Sequence, residues 1–269
     1  MHFLKISREK NPSIGDMLRF WRKLKRISQM DLALDVGVST KHLSFVETGR
    51  SKPSHNLVLK IAQTLQLPLR HRNSFLKAAG YAAMFSEEPL NGQKLEIIRH
   101  ALKRMLDKHE PYPAFVLNSA YKILMANSGY MKMIEFLAGK KALTKYDNVY
   151  HLTFAEDGLR PYIKDWPGIK HFMLNRLLDE AVSTQNAELS TLYEEIKELD
   201  KDSSLMDFQI DDNLPILSLT FEKEAMRARF FTTITTLGSP IDLTAQELRI
   251  ESLFPVDQTT IELFPLESS

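Results

Sequence analysis

Hydrophobic residues in the first 82 positions follow the spacing of short amphipathic helices. They recur three to four residues apart in three separate stretches, which predicts one helix in each. Ser54 precedes the second stretch and is predicted to cap its helix, while Gly80 ends the third. The apolar positions are Ile14, Met17, Leu18, Trp21 and Leu24, then Leu57, Ile61, Leu65 and Leu67, and finally Phe75, Leu76 and Ala79.

Between the first two stretches, the segment SQMDLALDVGVSTKHLSFVETG (28–49) predicts two further helices joined by a tight turn. The first helix covers residues 29–36, and Gly37 supplies the turn, where a positive φ favours glycine. Ser39 is predicted to cap the second helix, and Ala33 is small enough for the two helices to cross closely. The shared apolar core consists of Leu32, Val36, Val38, Leu43 and Val46. This pattern is that of a helix-turn-helix, whose second helix enters the major groove of DNA.

The segment SEEPLNGQ (86–93) contains proline and glycine without any periodicity, and it is predicted to be a linker. A connecting helix follows it, and Pro111 and Pro113 are predicted to end this helix. Its apolar stripe consists of Leu95, Ile98, Leu102 and Met105.

Beyond the connecting helix the hydrophobic period changes from that of helices to that of strands. Residues 114–127 predict two short strands around Asn118-Ser119. Residues 131–137 predict a helix, and residues 172–199 predict two amphipathic helices.

The last part of the chain returns to strand patterns. Leu217, Leu219 and Phe221 alternate with polar residues, and residues 228–237 are β-branched and aromatic. Residues 246–254 fit either a strand or a helix, and we favour a strand. Strands, then helices, then a run of strands indicate an α+β fold, because a parallel sheet would alternate the two element types.

The net charge of +1 conceals an asymmetry along the chain. Residues 1–85 contain 15 Lys and Arg and 5 Asp and Glu, a net of +10, whereas residues 86–269 contain 20 and 29, a net of −9. A basic segment of this kind is typical of nucleic-acid-binding domains. We therefore predict a DNA-binding domain over 1–85, a linker over 86–93 and a second domain over 94–269.

The second helix of the predicted helix-turn-helix exposes side chains that suit base contacts. Lys41 can donate to guanine O6 and N7, and Thr40 can meet a thymine methyl group. Phe45 can meet a thymine methyl group as well, or it can cover its own hydrophobic core. Gln29, with the free backbone N–H groups beside it, and Arg50 suit phosphate contacts. The complete set of candidate DNA contacts is Gln29, Ser39, Thr40, Lys41, Ser44, Phe45, Arg50 and Lys52.

The segment SQMDLALDVGVSTKHLSFVETGRSKPS carries the frame SQ-x-x-LA…GVS…E-x-G-R-x-x-P, and it resembles the bacterial XRE family of repressors. The resemblance covers roughly residues 13–80. It implies an all-α, lambda-repressor-like helix-turn-helix domain that binds double-stranded DNA. One recognition helix reads few base pairs, so a homodimer on a pseudo-palindromic site is expected.

Three later blocks resemble the ligand-binding domain of MmyB-like transcription regulators. They are HEPYPAFVLNSAYKILMAN (109–127), NVYHLTFAEDGLRPYIKDW (148–166) and TTLGSPIDLTAQELRIESLFPVDQTT (235–260). The resemblance implies a PAS-like domain, in which helices cover one face of a small antiparallel sheet. It also implies a buried apolar effector, such as a fatty acid, and no other cofactor.

A pocket for such a ligand needs apolar groups on a sheet face and on the covering helices. Met suits an adaptable apolar surface. Each candidate can equally be an ordinary core residue. The candidate lining residues are Phe115, Leu117, Ile123, Met125, Met133, Phe172, Met173, Phe230 and Ile234.

Other function classes are less consistent with the sequence. An enzyme needs a nucleophile, a metal or a paired acid and base, and only His151 with Asp157 suggests such a pair. With no cysteine there is neither a disulfide nor a thiolate metal site, and no metal or catalytic residue is assigned. A protein-binding adaptor and a purely dimerising, ligand-free second domain remain alternatives. No apolar run reaches the ~18 residues of a membrane span, and segment 1–13 has no signal-peptide core, so we expect a cytoplasmic protein without membrane contact.

Overall fold

The structure is a computed structural model that describes residues 12–199 and 218–265. Segment 1–13, in which we expect no signal peptide, lies mostly outside these ranges. Leu217, which we expect in a strand, also lies outside them. The chain forms two compact units. The first contains the described parts of Met1–Glu88 together with Ser239–Gln246, and the second contains those of Pro89–Gly238 and Glu247–Ser269.

The first unit is built from five short helices, as the hydrophobic pattern predicts. Its core contains Trp21, Leu32, Leu43, Ile61 and Phe75, each of them at most 3% exposed. The helices are α1 (Ile14–Leu24), α2 (Gln29–Val36), α3 (Thr40–Glu47), α4 (His55–Thr64) and α5 (Leu69–Ala78).

Capping side chains and one glycine set the boundaries of these helices. The hydroxyl groups of Ser39 and Ser54 accept hydrogen bonds from the first turns of α3 and α4, as predicted. Gly37 has a φ of 73°, which ends α2 in the left-handed conformation that glycine adopts without strain. Gly15 allows α1 to approach α3 closely, because a Cβ there would lie 2.4 Å from the carbonyl oxygen of Glu47.

Residues from late in the chain also belong to the first unit. Gln246 Oε1 accepts a 2.7 Å hydrogen bond from the backbone N–H of Leu69, the first residue of α5. Pro68 precedes Leu69 and provides no side-chain cap, so Gln246 satisfies a backbone donor that the local sequence leaves free. Asp242 is 7% exposed and accepts from the Ser86 hydroxyl at 2.8 Å.

The second unit is organised around an antiparallel sheet of five described strands. Their spatial order is β2-β1-β5-β4-β3, and every pairing is antiparallel. The fold is therefore α+β, in agreement with the PAS-like sheet that the resemblance implies. The strands are β1 (Ala114–Leu117), β2 (Ile123–Ala126), β3 (Leu219–Lys223), β4 (Met226–Thr236) and β5 (Arg249–Pro255).

Helices cover both faces of this sheet, whereas the resemblance implies helices on one face only. The connecting helix α6 (Glu96–Lys108) packs against one face through Leu102 and Leu106, which meet Val116 and Ile250. The larger core lies on the opposite face and includes Phe115, Leu117, Phe230 and Leu253. The other helices of this unit are α7 (Ser128–Ala138), α8 (Lys140–Lys145), α9 (Val149–Phe154), α10 (Trp166–Thr184), α11 (Ala187–Leu199) and α13 (Gln258–Leu263). Helix α12 (Leu243–Glu247) lies, except for its last residue, in the segment that belongs to the first unit. Within the described residues, no helix is both long and apolar enough to cross a membrane.

Two sequence-based assignments in this unit require correction. Met105 is 41% exposed, because Leu106 follows Leu102 at helical spacing and takes the buried position in α6. Met125 pairs with Val116 on the α6 side of the sheet, whereas Ile123 pairs with Leu117 on the side of the larger core. A register shift between Val116 and Leu117 separates these two pairs, so strict alternation along β2 gives the wrong face for Met125.

Candidate nucleic-acid interface and ligand cavity

The outward face of α3 carries the polar residues that sequence reasoning selected. Thr40 and Lys41 are exposed, and Ser44 and Phe45 are half-buried, while Leu43 on the inner face is fully buried. Ser39 caps the helix through its side chain and lies exposed beside Thr40. This face presents a cation, hydroxyl groups and one aromatic ring, which suit contacts with base edges and phosphates.

Phe45 forms the centre of a small cationic cluster on this face. Lys41 Nζ lies 5.7 Å from the centroid of its ring, and Arg50 Cζ lies 5.9 Å from it. The backbone carbonyl of Phe45 also accepts a 2.8 Å hydrogen bond from the N–H of Arg50. Phe45 is not packed against the core of the helical unit. Its ring is therefore available at the surface, where it contacts the two cations.

Arg50 and Lys52 follow α3 in the chain and are both exposed. Gly49 precedes them with a φ of 74°, which turns the backbone sharply after the helix. Lys52 Nζ lies over the ring of Tyr81 at 5.0 Å. These two cations extend the positive surface beyond α3, as phosphate contacts require.

A buried carboxylate at the end of α3 links three helices through hydrogen bonds. Glu47, the last residue of α3, is 6% exposed and accepts hydrogen bonds from Arg22 Nε in α1 at 2.7 Å and from Gln29 Nε2 in α2 at 3.0 Å. Arg22 also donates through Nη2 to the second carboxylate oxygen at 3.2 Å. A charged pair with additional hydrogen bonds is the form in which a buried carboxylate is tolerated.

Sequence reasoning missed Glu47 and assigned Gln29 to phosphate alone. The structure places the side-chain amide of Gln29 on Glu47, so its amide nitrogen already has a partner. The glutamate of the E-x-G-R frame was the available signal, but no pattern in the sequence identified its partners. Gln29 thus has a structural role in fixing α2 against α3, in addition to its place at the start of α2.

The second unit contains a cavity of about 310 Å³ between the sheet and its covering helices. This volume lies within the range of ligand sites in proteins. Phe115 from β1, Tyr130 from α7, Leu152 from α9, Phe221 from β3 and Leu253 from β5 contribute to the wall. Phe172 and Thr232 line the cavity and are also exposed, which places its mouth beside α10 and β4.

The nine candidate lining residues divide into several groups. Phe115, Met133, Phe172 and Met173 line the cavity. Leu117, Ile123 and Phe230 belong to the surrounding core without lining it. Met125 faces α6, and Ile234 is 45% exposed and outside the cavity wall, because the cavity ends at Thr232 along β4.

Two charged residues interrupt the apolar wall of this cavity. Arg176 in α10 donates through Nη2 to Glu251 Oε1 in β5 at 2.9 Å, and both residues line the cavity. Burial alone would lower the pKa of the Arg176 guanidinium, but Glu251 and the hydroxyl of Tyr121 outweigh burial and hold this pKa above its ordinary value. The Arg176 guanidinium therefore remains charged near neutral pH.

A second ion pair extends this polar region of the core. Arg249 in β5 pairs with Glu180 in α10, and Tyr121 donates a hydrogen bond to the same carboxylate. Burial raises the pKa of the Tyr121 hydroxyl to about 12, so this group stays protonated. The guanidinium groups of Arg176 and Arg249 both lie 5.5 Å from the Tyr121 ring centroid, so this ring contacts a cation of each ion pair.

Two other depressions in this unit differ from the core cavity. One of about 620 Å³ lies beside α7 and α13, and its wall reaches Pro265, where the described residues end. The other is open and largely acidic, and it contains His151 and Asp157. His151 lies 3.3 Å from Glu195, whereas Asp157 binds Lys145, so the suggested acid–base pair is not formed.

Family models match both units of the chain. The model of the MmyB-like transcription regulator ligand binding domain matches residues 98–266, and a helix-turn-helix model matches residues 18–71. No curated protein matches the chain. The helix-turn-helix match covers α2, α3 and the whole exposed cationic face, and the other match covers every wall of the core cavity.

Proposed function

The chain belongs to the MmyB-like transcription regulators and is a DNA-binding regulator with a ligand-binding domain, and we propose that it reads a specific DNA sequence with α3 under the control of a small apolar effector. In this proposal the effector occupies the core cavity of the second unit. The observation that carries the proposal is the coexistence of a cationic, DNA-suited helix face with an apolar cavity of about 310 Å³ in one chain.

The chemistry of α3 supports sequence-specific readout. Lys41 has a side-chain donor group that suits guanine, and Thr40 and Ser44 suit hydrogen bonds or apolar contact at neighbouring bases. Arg50 and Lys52 supply contacts that hold the register on the phosphate backbone. Phe45 keeps Lys41 and Arg50 together at the surface.

The walls of the cavity support an aliphatic effector, as in a fatty acid or a similar acyl compound. Aliphatic and aromatic side chains form most of its surface, and Met133 and Met173 adapt to the shape of a flexible chain. Exposed Phe172 lies at the mouth and suits a cover over the bound molecule. A ligand in this position contacts α10, β4 and β5 at once.

We further propose that the protein acts as a homodimer. A single α3 reads only a few base pairs, and a two-fold pair of recognition helices supplies the additional specificity. An effector changes DNA affinity only if it binds the two arrangements of the protein with different affinity. A coupling of about 1–3 kcal/mol is typical of such regulators.

Extraction of the full-length protein tests the effector directly. Protein purified without detergent is extracted with organic solvent, and mass spectrometry identifies any retained acyl compound. The delipidated protein is then titrated with acyl compounds of increasing chain length while its affinity is measured for a DNA site selected from random sequences. We expect binding of at least one acyl compound and a change in DNA affinity of about 5–150-fold.

A different outcome would end the effector proposal. If no acyl compound binds, or if binding leaves DNA affinity unchanged, the second unit serves as a dimerisation platform. The steep salt dependence of DNA binding, with a slope of about −0.9 per phosphate contact in a double-logarithmic plot, is measured in the same series. A weak salt dependence would favour a protein-binding adaptor.

A further inference from the structure

The Arg176–Glu251 pair is the polar feature of the cavity wall that is most informative about a ligand. Glu251 lies in β5, between Phe115 of β1 and Ile234 of β4, in the middle of the sheet. Its side chain is 9% exposed, and the side chain of Arg176 is 27% exposed. Replacing such a pair with apolar residues is often neutral or stabilising, so folding stability alone does not call for a carboxylate at this position.

The hydrogen bonding of the pair is incomplete. Among the described residues, Glu251 Oε1 accepts from Arg176 Nη2, and no donor reaches Glu251 Oε2. Arg176 likewise has a single hydrogen bond within this part of the chain, although a guanidinium carries five N–H groups. The cavity therefore offers a ligand one free acceptor and free donors side by side.

The charge at this end of the cavity is already balanced. Glu251 neutralises Arg176, and Glu180 neutralises Arg249 in the adjacent pair. An ionised carboxylate bound to Arg176 would introduce a third negative charge beside Glu251 in a cavity whose wall is mostly apolar. An uncharged group that accepts from Arg176 and donates to Glu251 satisfies both residues and adds no charge.

We propose that the effector carries an uncharged headgroup with one acceptor and one donor, as in a primary carboxamide, on an aliphatic chain. The carbonyl oxygen of this headgroup accepts from Arg176, and its N–H group donates to Glu251. The inference rests on the proposed function, because it assumes that the core cavity holds the effector. It replaces the ionised headgroup of a fatty acid with a neutral one of the same chain length.

Three probes with one chain length test the headgroup in the wild-type protein. Decanamide supplies an acceptor and a donor, methyl decanoate supplies only acceptors, and decanoate supplies a negative charge. Delipidated full-length protein is titrated with each by calorimetry near neutral pH. We expect decanamide to bind about 10- to 100-fold more tightly than either of the others, since a hydrogen bond to a charged group has roughly this effect.

The variant Glu251→Gln reverses part of this preference. It removes the negative charge and keeps the shape, so Arg176 becomes available to an anion. We expect decanoate to gain at least about tenfold over its wild-type affinity, whereas decanamide loses affinity. Circular dichroism checks that the variant is folded, and the wild-type series decides the question if it is not.

The outcomes separate this inference from the proposed function. Tighter binding of decanoate than of decanamide to the wild type would overturn the headgroup inference and leave the acyl-binding function intact. Equal binding of decanamide and methyl decanoate would also overturn it, because no donor would then reach Glu251. If none of the three probes bound, and no other chain length did, both the inference and the proposed function would be wrong.

Discussion

Glu47 Oε1 accepts a hydrogen bond of 2.7 Å from Arg22 Nε, and this bond ties the last residue of α3 to α1. The two side chains are 5% and 14% exposed, so water contributes little to the solvation of either charge. A nearly buried ion pair therefore fixes the end of α3, the helix that carries the candidate base contacts, against α1. Gln29 in α2 donates a further hydrogen bond to the same carboxylate.

Removal of this carboxylate is expected to destabilise the helical unit. Glu47→Ala leaves Arg22 buried without its partner, which lowers the free energy of unfolding by about 3–5 kcal/mol. Urea unfolding is followed by the fluorescence of Trp21, in a Trp166→Phe background in which Trp21 is the sole tryptophan. The control is Glu87→Ala, which breaks an exposed pair with Arg70 and is expected to change stability by less than about 1 kcal/mol. Equal effects of the two variants would contradict the role given to Glu47.

Lys41→Ala is expected to relax DNA specificity at a single base position. The change removes one donor to a base edge and lowers discrimination there by about 1–3 kcal/mol. Affinity is measured for the selected DNA site and for each of its single-base variants. Lys77→Ala in α5 is the control for loss of a positive charge away from α3. A uniform loss across all sequences would assign Lys41 to phosphate instead.

The ring of Phe45 is expected to affect affinity without affecting the number of phosphate contacts. Phe45→Leu keeps an apolar side chain but removes the cation–π contacts of Lys41 and Arg50, which weakens DNA binding by about 1–2 kcal/mol. Because both cations remain, the slope of the salt dependence stays constant to within about one contact. Phe45→Tyr retains the ring and serves as the control. A flatter slope for Phe45→Leu would show that a cationic contact with the DNA had been lost.

Filling the cavity mouth is expected to exclude the effector. Thr232→Trp places a large ring where β4 lines the cavity, and acyl affinity should fall at least about tenfold. Thr233→Trp makes the same substitution at the next position, on the opposite face of the strand, and should leave acyl affinity unchanged. Calorimetric titration of both variants with the best acyl probe provides the measurement. Similar affinities for the two variants would place the binding site elsewhere.

Gln246 is expected to stabilise helices that lie far from it in sequence. Gln246→Leu removes the acceptor for the N–H of Leu69, which reduces the stability of the helical unit by about 1 kcal/mol. Gln246→Glu retains an acceptor and adds a negative charge near the start of α5, so it should preserve or raise stability. The Trp21 unfolding assay measures both. A loss of equal size in the two variants would exclude the capping role.

The features that could be predicted from sequence are those with local causes. Gly37 and the capping residues Ser39 and Ser54 have their partners within a few residues, so their types alone fix where α2 ends and where α3 and α4 begin. The exposed face of α3 follows from helical periodicity once those ends are known. Alternation of apolar and polar side chains likewise predicts β3, whereas the pattern around β5 fits either a strand or a helix.

The features that escaped prediction depend on contacts between distant residues. Glu47 acquires its role only when α1 brings Arg22 to it, and the side-chain face of Met125 depends on an irregularity in the neighbouring strand. Alternation along β4 assigns Thr232 and Ile234 to the same face but does not tell which of them reaches the cavity. The partner of Glu251 lies 75 residues away in α10, beyond the reach of any local pattern.

The position of residues 239–246 in the first unit has an evolutionary consequence. A recombination event that exchanged only the N-terminal coding region would separate α5 from its native hydrogen-bond acceptor, Gln246. It would likewise separate Ser86 from its acceptor, Asp242. The incoming helices would then have to pack against residues 239–246 of a different parent protein. Hybrid regulators made by joining genes at residue 88 should therefore carry the donor's version of 239–246 as well, and natural substitutions in the two regions should be inherited together.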